Sequence, residues 1–495
     1  MPEAKKPRVA EQLCNRSALM LAASTVFAAS ALLAGCASTS GVTAQSQNLM
    51  STKQAGATDT QTQWPASDWW KAWGDPQLND VIDKALANQP SLQIVQARVV
   101  QAQAAADAAG AARAPQVSGS LDMTAQRFSK NGMVPPPLAG SVKWNNSAQI
   151  GATWELDLFG RQRASIASAI GQLRAAQAEA QAARVLLAGN VTSTYVNLAR
   201  LVDARKVMQQ ALSQRDQTVR LVRQRIDAGL DTNIELSQAE GLIAQTMVEL
   251  ETIDEAIART RHALAELTGQ NPNALDWLTP QLATVKATPL PKGLPADLIG
   301  RRADLVAQRW RVEAASKDVD VARAQFYPNV NLMAFAGLSS IGLDTFLKSG
   351  SATYGAGPAV RLPIFEGGRL RANLSARNAE LDAAINGYNA TLLRALREVA
   401  DEVSTLKSLE RQQRSQDDAL KSAETAFDLA LQRYHKGLGN FLIVLTAENN
   451  VLAQRRASSE LKARHLSAES ALARALGGGY QEDAATTIGA AVTQR

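Results

Sequence analysis

Few side chains in this sequence could do chemistry, and their spacing argues against it. Three histidines are present, His262, His435 and His465, and none stands in a His-x-x-x-His or His-Glu-x-x-His arrangement that would hold a metal ion from one helix face. Glu155 and Asp157 are two positions apart and could mimic the paired carboxylates of a hydrolase. They share the polar side of an alternating stretch, however, and are expected to line a wet surface. Gly477, Gly478 and Gly479 follow a helical pattern and read as its stop, not as a phosphate loop. The eight methionines are scattered and make no case for a copper or silver relay. The expectation is a protein that is not an enzyme, with no catalytic residue, no metal site and no cofactor apart from a covalent lipid.

That lipid is read from the start of the chain. Lys5, Lys6, Arg8 and Arg16 precede the largely apolar run SALMLAASTVFAASALLAG, which stops at Cys36. This is the pattern of a secretory signal, not of a spanning helix. Leu33-Ala34-Gly35-Cys36 resembles the box at which bacterial lipoproteins are cut and lipidated, which implies S-diacylglycerol and N-palmitoyl groups on Cys36. Ala37, where an aspartate would favour the inner membrane, leans toward the outer one. Cys14 leaves with the leader, so no free thiol is expected in the mature chain. One anchor gives limited hold on a membrane, which raises the question of what else touches the bilayer.

Bulk composition narrows the answer. With 495 residues, 46% of them hydrophobic, the chain can bury a large core. The net charge of +6 is small beside 52 basic and 46 acidic residues, and no basic run is interleaved with aromatics. Nucleic acid is not an expected partner.

The elements that must position these residues occur twice. Aligning residues 92–121 with 305–334 pairs Leu92 with Leu305, Arg98 with Arg311, Asp107 with Asp320, Pro115 with Pro328 and Val117 with Val330. Farther on, RIDAGLDT (225–232) pairs with RYHKGLGN (433–440). The expected organisation is a signal peptide (1–35), a lipidated flexible tether (36–63), two repeats (64–285 and 286–480) and a flexible tail (481–495). Folded sequence is expected to start near Trp64. Each repeat holds a helix, a strand hairpin (about 114–158, then about 328–365) and a long helical hairpin (about 162–268, then about 369–477).

The strands alternate with a period of two. In the first hairpin Val117, Gly119, Leu121, Met123 and Ala125, then Ala148, Ile150, Ala152, Trp154, Leu156 and Leu158, form a greasy face. In the second, Val330, Leu332, Ala334, Ala336 and Leu338 do so, then Tyr354, Ala356, Pro358, Val360, Leu362 and Ile364. Pro358 and Pro363 weaken that last strand as a ladder partner. The helices carry a heptad-like stripe, for example Val191, Tyr195, Leu198 and Val202, and no proline occurs between Pro137 and Pro272 or after Pro363.

Four strands with an apolar face cannot cross a bilayer as an open sheet, because edge N–H and C=O groups would lack partners in hydrocarbon. The smallest closed barrels use about eight strands, so the chain must pool its four with other copies. Three copies, giving twelve strands, leave room for passage. Both hairpins leave and re-enter helices at the same end, so all helices are expected on the periplasmic side. Phe128, Trp144 and Phe346 are then candidate headgroup-level aromatics.

Several motifs carry a resemblance: WW-x-x-W-x-D-P-x-L (69–78), ARAPQV (112–117) with its counterpart ARAQFYPNV (322–330), WELDLFGR (154–161), LPIFEGGR (362–369) and the paired Arg-x-x-x-Gly-Leu turns. Together they resemble the TolC-like outer-membrane factor family, in its OprM/NodT-like lipoprotein branch serving resistance-nodulation-division efflux pumps. The resemblance implies a mainly α homotrimer in the outer membrane: a twelve-stranded β-barrel continuing into a coiled-coil periplasmic tunnel. It also implies docking to a periplasmic adaptor and an inner-membrane pump, and a role as passive exit duct for drugs or other small toxic compounds. A protein-secretion duct and a lipid-anchored coiled-coil scaffold without a pore are the alternatives. Ala303, where relatives commonly have proline, is expected to loosen a helix start.

The candidate gate or adaptor-docking residues lie at the helical tips. Gly229 and Gly437 permit the positive φ that ends a helix. Arg225 and Arg433, four positions earlier, either cap last-turn carbonyls or form hydrogen-bonded constrictions. Acidic side chains narrow the entrance in relatives; Asp231 fits that role here, while its counterpart is Gly439.

Overall fold

The computed structural model describes residues 39, 41–46, 66–285 and 302–480. The expected signal peptide, Cys36, Trp64 and the expected 481–495 tail lie outside the described residues. In chain order the elements are α1 (Pro76–Asn88), α2 (Pro90–Ala111), β1 (Gln116–Arg127), β2 (Val142–Leu156), α3 (Arg161–Asp227) and α4 (Asn233–Leu267). Then follow α5 (Ala303–Ala324), β3 (Asn329–Ile341), β4 (Ala352–Arg361), α6 (Arg369–His435) and α7 (Phe441–Ala475). Helices α3 and α6 have 67 residues each, about 100 Å at 1.5 Å per residue. Each is paired in sequence with a 35-residue partner, α4 or α7.

The chain divides into two compact units. One contains residues 1–48, 101–173 and 310–386, and the other residues 49–100, 174–309 and 387–495.

The first unit holds one antiparallel sheet in the order β1-β2-β3-β4. Its register puts the apolar positions in rows across all four strands: Leu121 faces Ala148, Ala148 faces Leu338, and Leu338 faces Ala352. A one-residue slip anywhere would turn a strand's apolar set to the other face. Among the described residues nothing buries this face, Leu121 being 66% and Ile150 64% exposed. Strands β1 and β4 each pair on one side only, leaving two open ladder edges.

The strands are shorter than alternation implies. β2 stops at Leu156, because the Asp157 carboxylate turns to accept the N–H groups of Gln162 (3.0 Å) and Arg163 (2.9 Å). Asp157 therefore caps α3 instead of lining the wet face with Glu155, which is forked by Arg161 (Nη2 to Oε1 2.8 Å). Leu158 falls beyond the strand, and β4 ends at Arg361, leaving Leu362 and Ile364 outside it where Pro363 supplies no ladder donor. Pro358 stays inside β4, which is tolerable in an edge strand. Phe128 is buried in the β1–β2 loop and so is no surface aromatic, whereas Trp144 is exposed. The polar face is also not uniformly polar. It carries Met333 and Phe335, and the Phe335 ring lies over Gly355, where any Cβ would meet its Cε1 at 2.8 Å. A small hydrophobic core joins Val319, Ala322 and Phe326 to Leu370 and Leu374.

The second unit is built on helix packing around three hydrophobic clusters. The largest gathers Trp69, Trp70 and Trp73 with Leu78, Val191, Tyr195, Leu198 and Leu264. Asp75 links its parts: one oxygen caps α1 by accepting the Gln77 N–H (2.9 Å), the other accepts the Tyr195 hydroxyl (2.6 Å). The start of α5 is not loose despite Ala303. Arg302 ties it to Asp304 (2.8 Å), Glu398 (2.8 Å) and the Ala475 carbonyl (3.1 Å).

A buried polar node joins α3, α4 and α7. Arg215 donates to Glu448 (3.2 Å), Thr246 Oγ1 (2.6 Å) and Asn449 Oδ1 (3.3 Å), and the two charged side chains are almost fully buried. Burial holds the Glu448 carboxyl above its ordinary value even with Arg215 beside it. A polar group at one level of a coiled coil fixes register, because any sliding strands a charge in the core. Glu448→Ala is expected to cost on the order of 3–5 kcal/mol, as it leaves a buried guanidinium unpaired; Glu448→Gln is expected to cost less. Thermal unfolding of the full-length protein followed by helical circular dichroism measures both.

Candidate functional site: the helical tips

The tips of the two helical hairpins are shaped by backbone first. Helix α3 ends in two overlapping bonds, Gly229 N–H to the Ile226 carbonyl (2.8 Å) and Leu230 N–H to the Arg225 carbonyl (2.8 Å). Helix α6 repeats the pattern, with Gly437 N–H to Tyr434 (3.0 Å) and Leu438 N–H to Arg433 (2.9 Å). Gly229 and Gly437 have φ of 73° and 74°, the left-handed conformation this termination needs. The following helices are then capped by side chains. Thr232 and Glu235 form a capping box on α4, and Asn440 accepts the Ile443 N–H (3.1 Å) on α7.

Between the tips lies a compact ionic latch. Arg225 donates from Nε to Asp231 Oδ2 (2.8 Å) and from Nη2 to Asp231 Oδ1 (3.3 Å). Its third arm, Nη1, donates to the Tyr434 carbonyl of the other hairpin (2.9 Å). The guanidinium carbon stands 4.3 Å from the centre of the Tyr434 ring, and the Tyr434 hydroxyl donates back to Asp231. Asp231 and Arg225 are only 9% and 11% exposed. Tyr434 is fully buried and packs on Phe441 at 5.7 Å between ring centres, within a cluster that includes Val219, Val222 and Val444.

These contacts set the charge states. Burial opposes ionisation of Asp231, but hydrogen bonds from Arg225 and Tyr434 outweigh it and hold the carboxyl below its ordinary value. The Asp231 hydrogen bond pushes Arg225 up. Burial and then Asp231 push the Tyr434 phenol up. The arrangement is a non-covalent cross-link between two hairpins of one chain.

Of the residues singled out by sequence, the structure brings Arg225 and Asp231 together and leaves the others apart. Arg433 only reaches the Leu438 carbonyl past its own turn, at 3.3 Å on the surface. Gly439 does not adopt positive φ, and a Cβ there would make ordinary contacts with Arg433. Tyr434 was missed. Its signal lies in the repeat: it replaces Ile226 where the halves align, so an aromatic with a polar tip stands where the other half keeps a plain aliphatic. Among the described residues no cluster of His, Cys, Asp and Glu could hold a metal ion.

A sheet whose apolar face and two edges are left open, joined in one chain to four long coiled-coil helices, defines an outer-membrane duct assembled from several copies. The chain belongs to the outer membrane efflux protein family, whose model matches residues 81–270 and again 294–478. It is similar to the fusaric acid resistance protein FusA of Burkholderia cepacia, 39% identical over 363 residues covering 72% of this chain and 68% of that one. It is also similar to the multidrug resistance outer membrane protein MdtP of Escherichia coli, 31% identical over 480 residues covering 95% of this chain and 98% of that one. Among solved structures it resembles the outer membrane protein VceC of Vibrio cholerae, with a TM-score of 0.79 and 36% identity over 84% of this chain and all of that one. The outer-membrane channel OprN is a further structural match, with a TM-score of 0.79 and 27% identity over 90% of this chain and 99% of that one, and this chain has the fold of these proteins. It is an outer-membrane efflux duct.

Asp231→Ala is expected to leave Arg225 unpaired and to raise amide hydrogen exchange at residues 225–235 and 430–441 by ten-fold or more, since losing one partner of a buried pair costs several kcal/mol. Tyr434→Phe keeps the ring over Arg225 and is expected to cost only about 1 kcal/mol. The latch also has a definite pH window. Because the Asp231 pKa is depressed by folding, its stabilisation is fully present above the unfolded value near 3.8 and is lost as pH falls through the lower folded value. Exchange at the tips is expected to be flat from pH 8 to 5, after correction for the intrinsic rate, and to rise only below about pH 4.

Proposed function

We propose that three copies of this chain form a passive exit duct for small toxic compounds, with transport driven by a partner. The observation that carries this reading is the sheet register, which gives one continuous apolar face and two unsatisfied edges and so calls for closure by identical neighbours. The energy source is an inner-membrane resistance-nodulation-division pump, reached through a periplasmic adaptor that docks at the helical tips. The Arg225–Asp231–Tyr434 latch is the resting gate of that tip, and Arg433, Gly437 and Gly439 belong to the adjoining docking surface. Cys36 carries the lipid that anchors the chain to the outer membrane, with the helices in the periplasm. The names of the relatives, multidrug resistance and fusaric acid resistance, support small organic compounds as the cargo.

In planar bilayers, trimers carrying Asp231→Ala are expected to conduct several-fold more than wild type; silent trimers in both cases would favour a scaffold without a pore. In cells, deleting the gene is expected to increase susceptibility to toxic organic compounds. The wild-type chain should restore resistance fully and Cys36→Ala only in part. Unchanged susceptibility to a broad compound panel would remove small-molecule efflux as the function.

A further inference from the structure

Residues 41–46 fall where the sequence predicts a flexible tether, yet they are fastened. Val42 packs against the small core formed by Val319, Phe326, Leu370 and Leu374, with Leu381 beside it. Three residues on, the chain meets the carboxylate of Asp382 on α6. The Gln45 N–H donates to Asp382 Oδ2 at 3.0 Å and the Ser46 N–H to Oδ1 at 2.6 Å. One helical turn farther along α6, Asn386 Nδ2 donates to Ser46 Oγ at 3.3 Å. One carboxylate gripping two consecutive backbone donors is how acidic side chains cap helices, with charge-assisted bonds stronger than neutral ones. Here the same grip closes on a non-helical strap more than three hundred residues away in sequence. The two backbone donors hold the Asp382 carboxyl below its ordinary value, so the grip is fully charged at neutral pH.

We infer that Asp382 is a positioning residue that latches this strap to the strand-bearing unit, so that the lipid on Cys36 works as a short leash guiding the sheet into the membrane during assembly. The inference rests on the lipidation reading above. With the strap latched, the chain from Cys36 to Val42 can span at most about 20 Å at ~3.3–3.6 Å per residue, less than the roughly 30 Å of a hydrocarbon core. Unlatched, the anchor would hold the fold only through the tether that the sequence leads one to expect up to Trp64, and the leash from Cys36 would become about five times longer. Effective concentration falls as about the −3/2 power of leash length, so the latch raises that of the sheet at the bilayer roughly ten-fold.

The test is pulse-chase formation of heat-resistant trimer in the outer membrane by the full-length chain. Asp382→Ala is expected to slow assembly several-fold, up to about ten-fold, and Asp382→Asn, which keeps one acceptor, to slow it less. The deciding arm repeats both substitutions in a Cys36→Ala chain given an ordinary cleavable leader, where they are expected to have no further effect. Wild-type rates for Asp382→Ala would overturn the inference. So would equal slowing with and without the lipid, which would make Asp382 merely structural. Should Asp382→Ala fail to fold, Asp382→Asn, with its thermal unfolding matched to wild type, decides on the same terms. Mass spectrometry of the mature N-terminus separates the two failures: acyl groups on Cys36 with a wild-type assembly rate sink the latch alone, and their absence sinks the lipidation reading.

Discussion

Unpaired backbone polarity in hydrocarbon is the constraint on which this structure depends. Each N–H or C=O left without a partner there costs several kcal/mol, and the sheet presents two full edges of them, along β1 and β4. Its apolar face, with Leu121 and Ile150 diagonal neighbours on adjacent strands, is too apolar for water and too open for lipid while the chain stays alone. Closure by identical copies resolves both problems together. The need for more than one copy follows from that one condition.

The helical unit answers a different problem. Its long coils must keep register over about 100 Å, and their tips must be tied off where the helices turn. The two polar nodes divide these tasks. Arg215 and Glu448 are buried among α3, α4 and α7, where slippage would expose a naked charge to the core. Arg225, Asp231 and Tyr434 lie at the turns, where they tie one hairpin to the other. A buried ion pair adds little net stability against an apolar substitute, so what such pairs contribute here is a choice of alignment.

Much of this was legible in the sequence because period-two alternation and duplicated glycine turns are local signals. The face assignment of all four strands follows from residues such as Leu121, Ile150 and Ala336 alone. What the sequence hid was tertiary. Asp157 alternates like a strand residue but leaves the sheet to cap a helix, because two free N–H groups at the start of α3 compete for its carboxylate. Phe128 has the composition of an interface aromatic and the burial of a loop core. Phe335 breaks the polar face because the glycine opposite leaves backbone for a ring to cover. At the tips, Arg225 reads as a local cap, yet its decisive partner, Tyr434, comes from the other repeat, and no spacing rule links positions two hundred residues apart.

Pro358 adds one more consequence. It sits inside β4, the strand that closes the barrel against the next copy, and a proline in a ladder is tolerated where its missing donor faces the open side. The open edge along β4 therefore offers one donor fewer than a proline-free strand would. Lone chains are thereby discouraged from stacking edge to edge with the wrong company.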